Sequence, residues 1–183
     1  MDKTTRANLD NLWSEDRNLQ NKAFFTIIGM TDQPVDWAYE AWDEIVGNLG
    51  HKDNHSRAIA AQVLCNLAKS DPQTRMLKDF DALLAVTRDE RFVTARHCMQ
   101  ALWRVGVAGE KQQKVLVDGL EGRFGECIVE KNCTLIRYDI LQSLRNVYDV
   151  VKDDGIREKA VELIATEDDP KYRKKYASLW RGQ

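Results

Sequence analysis

The chain has 183 residues, 43% of them hydrophobic and 31% charged, which excludes a disordered tract and a bilayer-embedded chain and leaves enough apolar material for a sizeable core. Its net charge of -2 lacks the basic excess of a dedicated nucleic-acid binder. The opening segment 1–13 has no apolar stretch of the secretory kind, and no apolar run approaches the roughly 20 residues needed to span a membrane, so the expectation is a cytoplasmic chain with no membrane partner.

Apolar residues recur at three and four, and no strand alternation is present. In chain order this predicts helices near 4–13, 17–30, 35–47, 55–69, 74–87, 91–106, 110–122, 133–151, 156–166 and 170–181. The three prolines, Pro34, Pro72 and Pro170, each fall near a predicted helix start, where proline is tolerated. Short links carry stop and start signals, such as Asn48-Leu49-Gly50, Ser70-Asp71-Pro72 and Asp153-Asp154-Gly155. Links this short make consecutive helices antiparallel. With no linker-like segment, residues 1–183 read as a single domain.

The ten helices read as five pairs. The second helix of each pair aligns on Asn21, Arg57, Ala95, Arg137 and Arg173, a step of roughly 40 residues. Three residues further on lie Phe24, Ala60, Cys98, Ile140 and Tyr176, and seven further on lie Ile28, Leu64, Leu102, Leu144 and Trp180. At 3.6 residues per turn these positions share one face, a seam that a lone pair has no means to cover and that stacking buries. The fold class is therefore all-α, an α-α superhelix of about five antiparallel helix pairs.

The last pair carries a recognisable pattern, Asp169-Pro170-Lys171-Tyr172-Arg173-Lys174-Lys175-Tyr176-Ala177-Ser178-Leu179: an Asp-Pro turn, a hydrophobe-Arg pair, then Ala and Leu at helical spacing. In this pattern the chain resembles the HEAT-repeat family. Asn21 and Ala95 stand where the first and third repeats would have the motif arginine. The resemblance implies that the second helices line a concave, partner-binding surface.

Positions one, five and nine after the reference lie opposite the seam: Lys22-Thr26-Met30, Ala58-Gln62-Asn66, Arg96-Gln100-Arg104, Tyr138-Gln142-Asn146 and Lys174-Ser178-Gly182. None is acidic, which points to an acidic or amide-rich partner. With Trp103 and Arg145 at its margin, this stripe makes Gln62, Asn66, Arg96, Gln100, Trp103, Arg104, Tyr138, Gln142, Arg145 and Asn146 the candidate partner-binding residues, since Trp and Arg are common interface anchors. The favoured reading of Trp103 is core, where a large aromatic supplies buried area.

Motifs for chemistry are weak. His51 and His55 are four apart, but in an interhelix turn with Asn54 as the expected N-cap and no third ligand nearby. Cys127 and Cys133 flank a loop and are close enough in sequence to approach, yet their spacing matches no zinc or thioredoxin-type motif. With Cys65 and Cys98 they read as reduced, mostly buried thiols. Gly119, Gly122 and Gly125 read as helix-end residues, and Trp37 as a partly exposed residue at the margin of a buried stripe. No catalytic residue, metal site or cofactor is expected.

The leading expectation is a non-enzymatic scaffold or adaptor that binds a protein or peptide. The alternative is a DNA repair protein of the HEAT-like alkylpurine glycosylase type, with Trp103 stacking on a base and Arg96, Arg104 and Arg145 on phosphates. Asp139 is the nearest acid to the stripe. A regulatory HEAT protein acting on a cofactor-bearing partner is a third reading that no residue selects.

Overall fold

Among the described residues, every regular element is a helix, and no proline interrupts a helix interior. The computed structural model describes residues 1–181. It contains α1 (Lys3–Asn11), α2 (Arg17–Met30), α3 (Ala38–Gly47), α4 (Asn54–Leu67), α5 (Met76–Ala85), α6 (Phe92–Ala101), α7 (Trp103–Gly106), α8 (Glu110–Glu126), α9 (Cys133–Val151), α10 (Asp154–Ala165) and α11 (Pro170–Ser178). Short 3-10 turns prolong α3, α4, α5 and α8.

The helices form two layers of an all-α superhelix. In one layer α2, α4, α6, α9 and α11 pack in series, and in the other α3, α5, α8 and α10 do. The second layer is extended by α1, joined to α3 through Glu44, which accepts from Arg6 Nη2 at 2.8 Å and from Trp13 Nε1 at 2.6 Å. Most of the predicted seam is core: Ala60, Leu64, Cys98, Leu102, Ile140, Leu144 and Tyr176 are fully buried, whereas Phe24, Ile28 and Trp180 at the two ends are only partly buried and pack against it.

Starts are set by carboxylates. Asp2, Asp16, Asp53, Asp153 and Asp169 accept backbone N–H bonds at the first turns of α1, α2, α4, α10 and α11, each worth about 1 kcal/mol. At α4 the cap is Asp53, and the expected cap Asn54 is the first helical residue, because the Asp53 carboxylate reaches Ser56 N at 3.1 Å. The helix expected from residue 35 begins at Ala38. Trp37 precedes it and is buried at 5% exposure, not at a half-open margin.

The helix expected over 91–106 is broken at Leu102. Its backbone N–H still reaches Cys98 O, but the next bond, Val105 N to Leu102 O, is of the tighter i to i+3 kind. The short α-helix α7 that follows wedges between α8 and α9, where Gly106 makes the approach possible. A β-carbon there would lie 2.6 Å from Leu116 Cδ2 and 2.9 Å from Val147 Cγ2. The expected end of α8 near residue 122 is also corrected, since Gly119, Gly122 and Gly125 are helical and α8 runs to Glu126. Gly119 faces Phe80, whose ring would lie 2.9 Å from an added β-carbon, so close packing selects glycine there.

Guanidinium–carboxylate pairs join each repeat to the next. Arg17 holds both oxygens of Asp53 at 2.9 and 2.7 Å, and Arg57 holds Asp89 at 2.5 and 2.9 Å. Arg96 holds Asp139 at 2.6 and 3.0 Å, and Arg137 holds Glu167 at 2.8 Å. Arg57 also donates to His51 O, and Arg173 to Glu167 O, so two motif arginines tie down the turn before their own helix. Where the motif arginine is missing, a neighbour replaces it: Arg17 four residues before Asn21, and Arg96 one residue after Ala95.

Two predictions follow from this packing. Gly106→Ala overfills the wedge and costs about 1–3 kcal/mol, read as a lowered urea midpoint with unchanged slope; an unchanged midpoint would remove the steric role of Gly106. The second concerns acid. Donation from Arg17 holds the Asp53 carboxyl well below its usual range. Burial opposes ionisation of Asp89, but bonds from Arg57 and from the Arg91 N–H more than offset it and leave that carboxyl lowered too. Folded values below the unfolded value of about 3.9 give stability that is full above that pH and is lost as pH falls through and beneath it. Urea midpoints should therefore hold from neutrality to about pH 5 and fall steeply below about pH 4; Arg17→Gln should flatten that fall.

Candidate interaction surface

The solvent-facing side of the second-helix layer is the surface singled out by the sequence pattern. Its residues divide into those that stay available and those the fold uses. Asn66 belongs to the fold. It is 1% exposed, and its amide donates to Thr31 Oγ1 at 3.1 Å, closing the turn after α2. Its expected place in a binding ladder is corrected, because α4 packs between α2 and α6 and turns that side chain inward. Ala58, from the same stripe, is also buried.

Arg96 is half-buried, and its charge is matched by Asp139, which is 3% exposed. Gln100 leans on the same carboxylate at 3.4 Å. Asp139 lies one residue beyond the stripe, so the column is acid-free in sequence but not in charge. Arg145 is held by Asp149 at 2.9 Å and by Leu179 O at 2.8 Å. Gln142 donates to Asn146 along α9 at 2.9 Å, and Gln62 donates back to Ala58 O at 3.0 Å.

The cations of α7 and α11 form no ion pair among the described residues. Arg104 stacks over the half-buried ring of Trp103 with its guanidinium 4.8 Å from the ring centre. Lys175 sits over Tyr138 at 4.8 Å, and Lys174 is exposed beside it in sequence. Such cation–π contacts orient the head group without neutralising it. Gly182, the last position of the stripe, lies outside the described residues.

The N-terminal half of this layer holds a feature that the sequence reading missed. A cavity of about 180 Å³ opens between α2, α4 and α6, lined by Asn21, Phe24, Ile59, Gln62, Val93 and His97 among others, with no carboxylate in its wall. Val93 in its wall is 65% exposed, and Phe25, next to the lining residue Phe24, is 71% exposed. The signal was present in the spacing. Phe25 falls one residue outside the buried seam, so a large aromatic was left facing water where a soluble helix normally has a polar group. Among the described residues no group of three or more His, Cys, Asp or Glu side chains is placed to hold a metal ion. The ring nitrogen Nδ1 of His51 is engaged by the Asp53 N–H at 3.0 Å. No described helix is long and apolar enough to cross a membrane.

Comparison with known proteins adds the fold alone. No family model and no curated protein matches the chain. Two crystal structures, each of an engineered protein of the Northeast Structural Genomics Consortium, are similar in shape. One has a TM-score of 0.57 and the other 0.56, both at 19% sequence identity over 98% of this chain and 78% or 79% of theirs. At that identity the likeness supports the superhelical arrangement and carries no activity.

The pairing of Arg96 separates two variants that the sequence treats alike. Arg96→Ala leaves Asp139 buried with one long bond from Gln100, and costs about 3 kcal/mol. Arg104→Ala removes a half-buried cation stacked on Trp103, with no carboxylate left unpaired, and costs under about 1 kcal/mol. Thermal melts of the two should differ by several degrees. Equal melting temperatures would show that the Arg96–Asp139 pair contributes nothing to the fold.

Proposed function

We propose that this chain is a HEAT-like, non-enzymatic interaction module that binds a peptide or protein segment along its second-helix face. The observation that carries this reading is the cavity between α2, α4 and α6, with Val93 exposed in its wall, Phe25 exposed beside the lining Phe24, and amides and imidazoles but no carboxylate in that wall. An apolar side chain of the partner fills such a cavity. Asn21 and Gln62 offer amide groups that match a partner backbone, and His97 offers a further donor. Farther along the layer, Arg104, Lys174 and Lys175 suit carboxylates on the same segment.

The proposed partner is therefore a segment with an apolar anchor followed by acidic residues. The expected binding centre moves toward the N-terminal half, because Arg96, Arg145 and Asn66 are engaged within the fold.

The test is selection from a random peptide library displayed on phage, comparing the wild type with a Phe25→Ser/Val93→Ser pair. Both side chains are largely exposed, so the pair should melt as the wild type does. Enriched peptides should share an apolar anchor with acidic neighbours, and their affinity should fall about tenfold or more in the pair. Peptides held equally by both proteins would remove the cavity from the reading. Salt-sensitive retention of nucleic acid in place of peptide would overturn it altogether.

A further inference from the structure

The connection between α8 and α9 brings two thiols together. Cys127 closes α8 and Cys133 opens α9, and two consecutive turns fold the chain between them: Glu130 N donates to Cys127 O at 2.8 Å, and Cys133 N donates to Glu130 O at 3.1 Å. The turn is pinned from outside by Arg123, which donates to both oxygens of Glu130 at 2.6 and 2.9 Å. The result is a Cys127 Sγ to Cys133 Sγ separation of 2.9 Å, with both thiols free. A disulfide requires the sulfurs to close by only on the order of 1 Å more, a small adjustment at a helix-terminal turn.

We propose that Cys127 and Cys133 are a reversible dithiol–disulfide pair that staples the α8–α9 turn, oxidised by a small-molecule disulfide of the glutathione class. The two sulfurs are unequal, and the inequality sets the order of steps. Cys133 is half-buried and reachable, whereas Cys127 is fully buried. The Cys133 thiol gives up its proton, and its thiolate attacks one sulfur of the oxidant. A bond forms from Cys133 Sγ to that sulfur, the S–S bond of the oxidant breaks, and one small thiolate leaves and takes up a proton.

The Cys127 thiol then loses its proton and attacks Cys133 Sγ. The protein disulfide forms, the mixed disulfide breaks, and the second small thiolate leaves and is protonated. Two protein thiols are thus oxidised by two electrons, and one small disulfide is reduced to two thiols. Burial and the bond from its neighbour push the Cys127 thiol up to about 12, while the Arg137 guanidinium beside it works in the opposite direction. Adding Cys133 to the oxidant removes the bond from its neighbour that helps to raise the Cys127 thiol.

Nothing comparable is available to Cys65 and Cys98, which are fully buried, with thiols pushed upward by burial. The staple would close a short loop whose tip carries Ile128 at 69% and Val129 at 89% exposure, and so fix the presentation of two apolar side chains.

The experiment treats the reduced full chain with oxidised glutathione, blocks remaining thiols with an alkylating agent, and reads intact mass and non-reducing peptide maps. The wild type should lose two hydrogens, with the link mapped between Cys127 and Cys133 and reversed by dithiothreitol. Its melting temperature should rise by roughly 5 °C. Cys127→Ala should retain one glutathione on Cys133, and Cys133→Ala should carry none. A wild type that keeps glutathione on Cys133, remains fully reduced, or links any other pair overturns the proposal, and these wild-type results decide it even if a variant fails to fold.

Discussion

The superhelix depends on one repeated contact, a guanidinium on a second helix holding a carboxylate that belongs to the next repeat. Apolar stacking supplies most of the driving force, but apolar faces slide. Three of the four pairs are two-bonded, and so fix the offset between neighbouring helices. The inner carboxylates, Asp89 at 5% and Asp139 at 3% side-chain exposure, have little water to turn to if the register slips. An unpaired buried charge costs several kcal/mol, so each rung acts as a penalty against misalignment more than as a source of stability.

That contact explains why the fold was legible. A repeat of roughly 40 residues is visible only because the same face must be apolar in every second helix. Leu64, Leu102 and Leu144, all fully buried, recur at one position of three successive repeats. Boundaries were legible where a carboxylate stands before the helix, as at Asp16 and Asp169, and less so where packing decides. The 3-10 tightening after Leu102 and the continuation of α8 through three glycines follow from neighbours distant in sequence. Gly106 is chosen by Leu116 and Val147, and Gly119 by Phe80. No local pattern contains those partners.

The candidate surface was legible as a direction but not as a set of free groups. The spacing placed Gln62, Arg96, Gln100, Arg104, Tyr138, Gln142 and Asn146 on one helix layer, where they are found at least partly exposed. It could not say that Asp139, one position along α9, would take the charge of Arg96, or that Asn66 would turn to Thr31. A helical wheel describes one helix, and both contacts cross to another. The exposed Phe25 was the better indicator, because it departs from the pattern and the repeat gives it no structural role.

The irregular rungs show how unevenly the fold draws on the exposed positions of this layer. A motif arginine at position 95 would lie at the buried seam margin, where Ala95 is 2% exposed. Moving the guanidinium to position 96 keeps the bond to the next repeat but brings Arg96 to the surface, where it is half-buried. The displacement spends a surface position on the fold. In the first repeat the substitute is Arg17, at the start of α2, and it spends none: its bond to Asp53 lies at the helix end and leaves the central face of α2 to Phe24, Phe25 and Thr26. The cavity sits beside the repeat whose rung has been moved out of the way, an arrangement consistent with the proposed placing of the partner toward the N-terminal half of the layer.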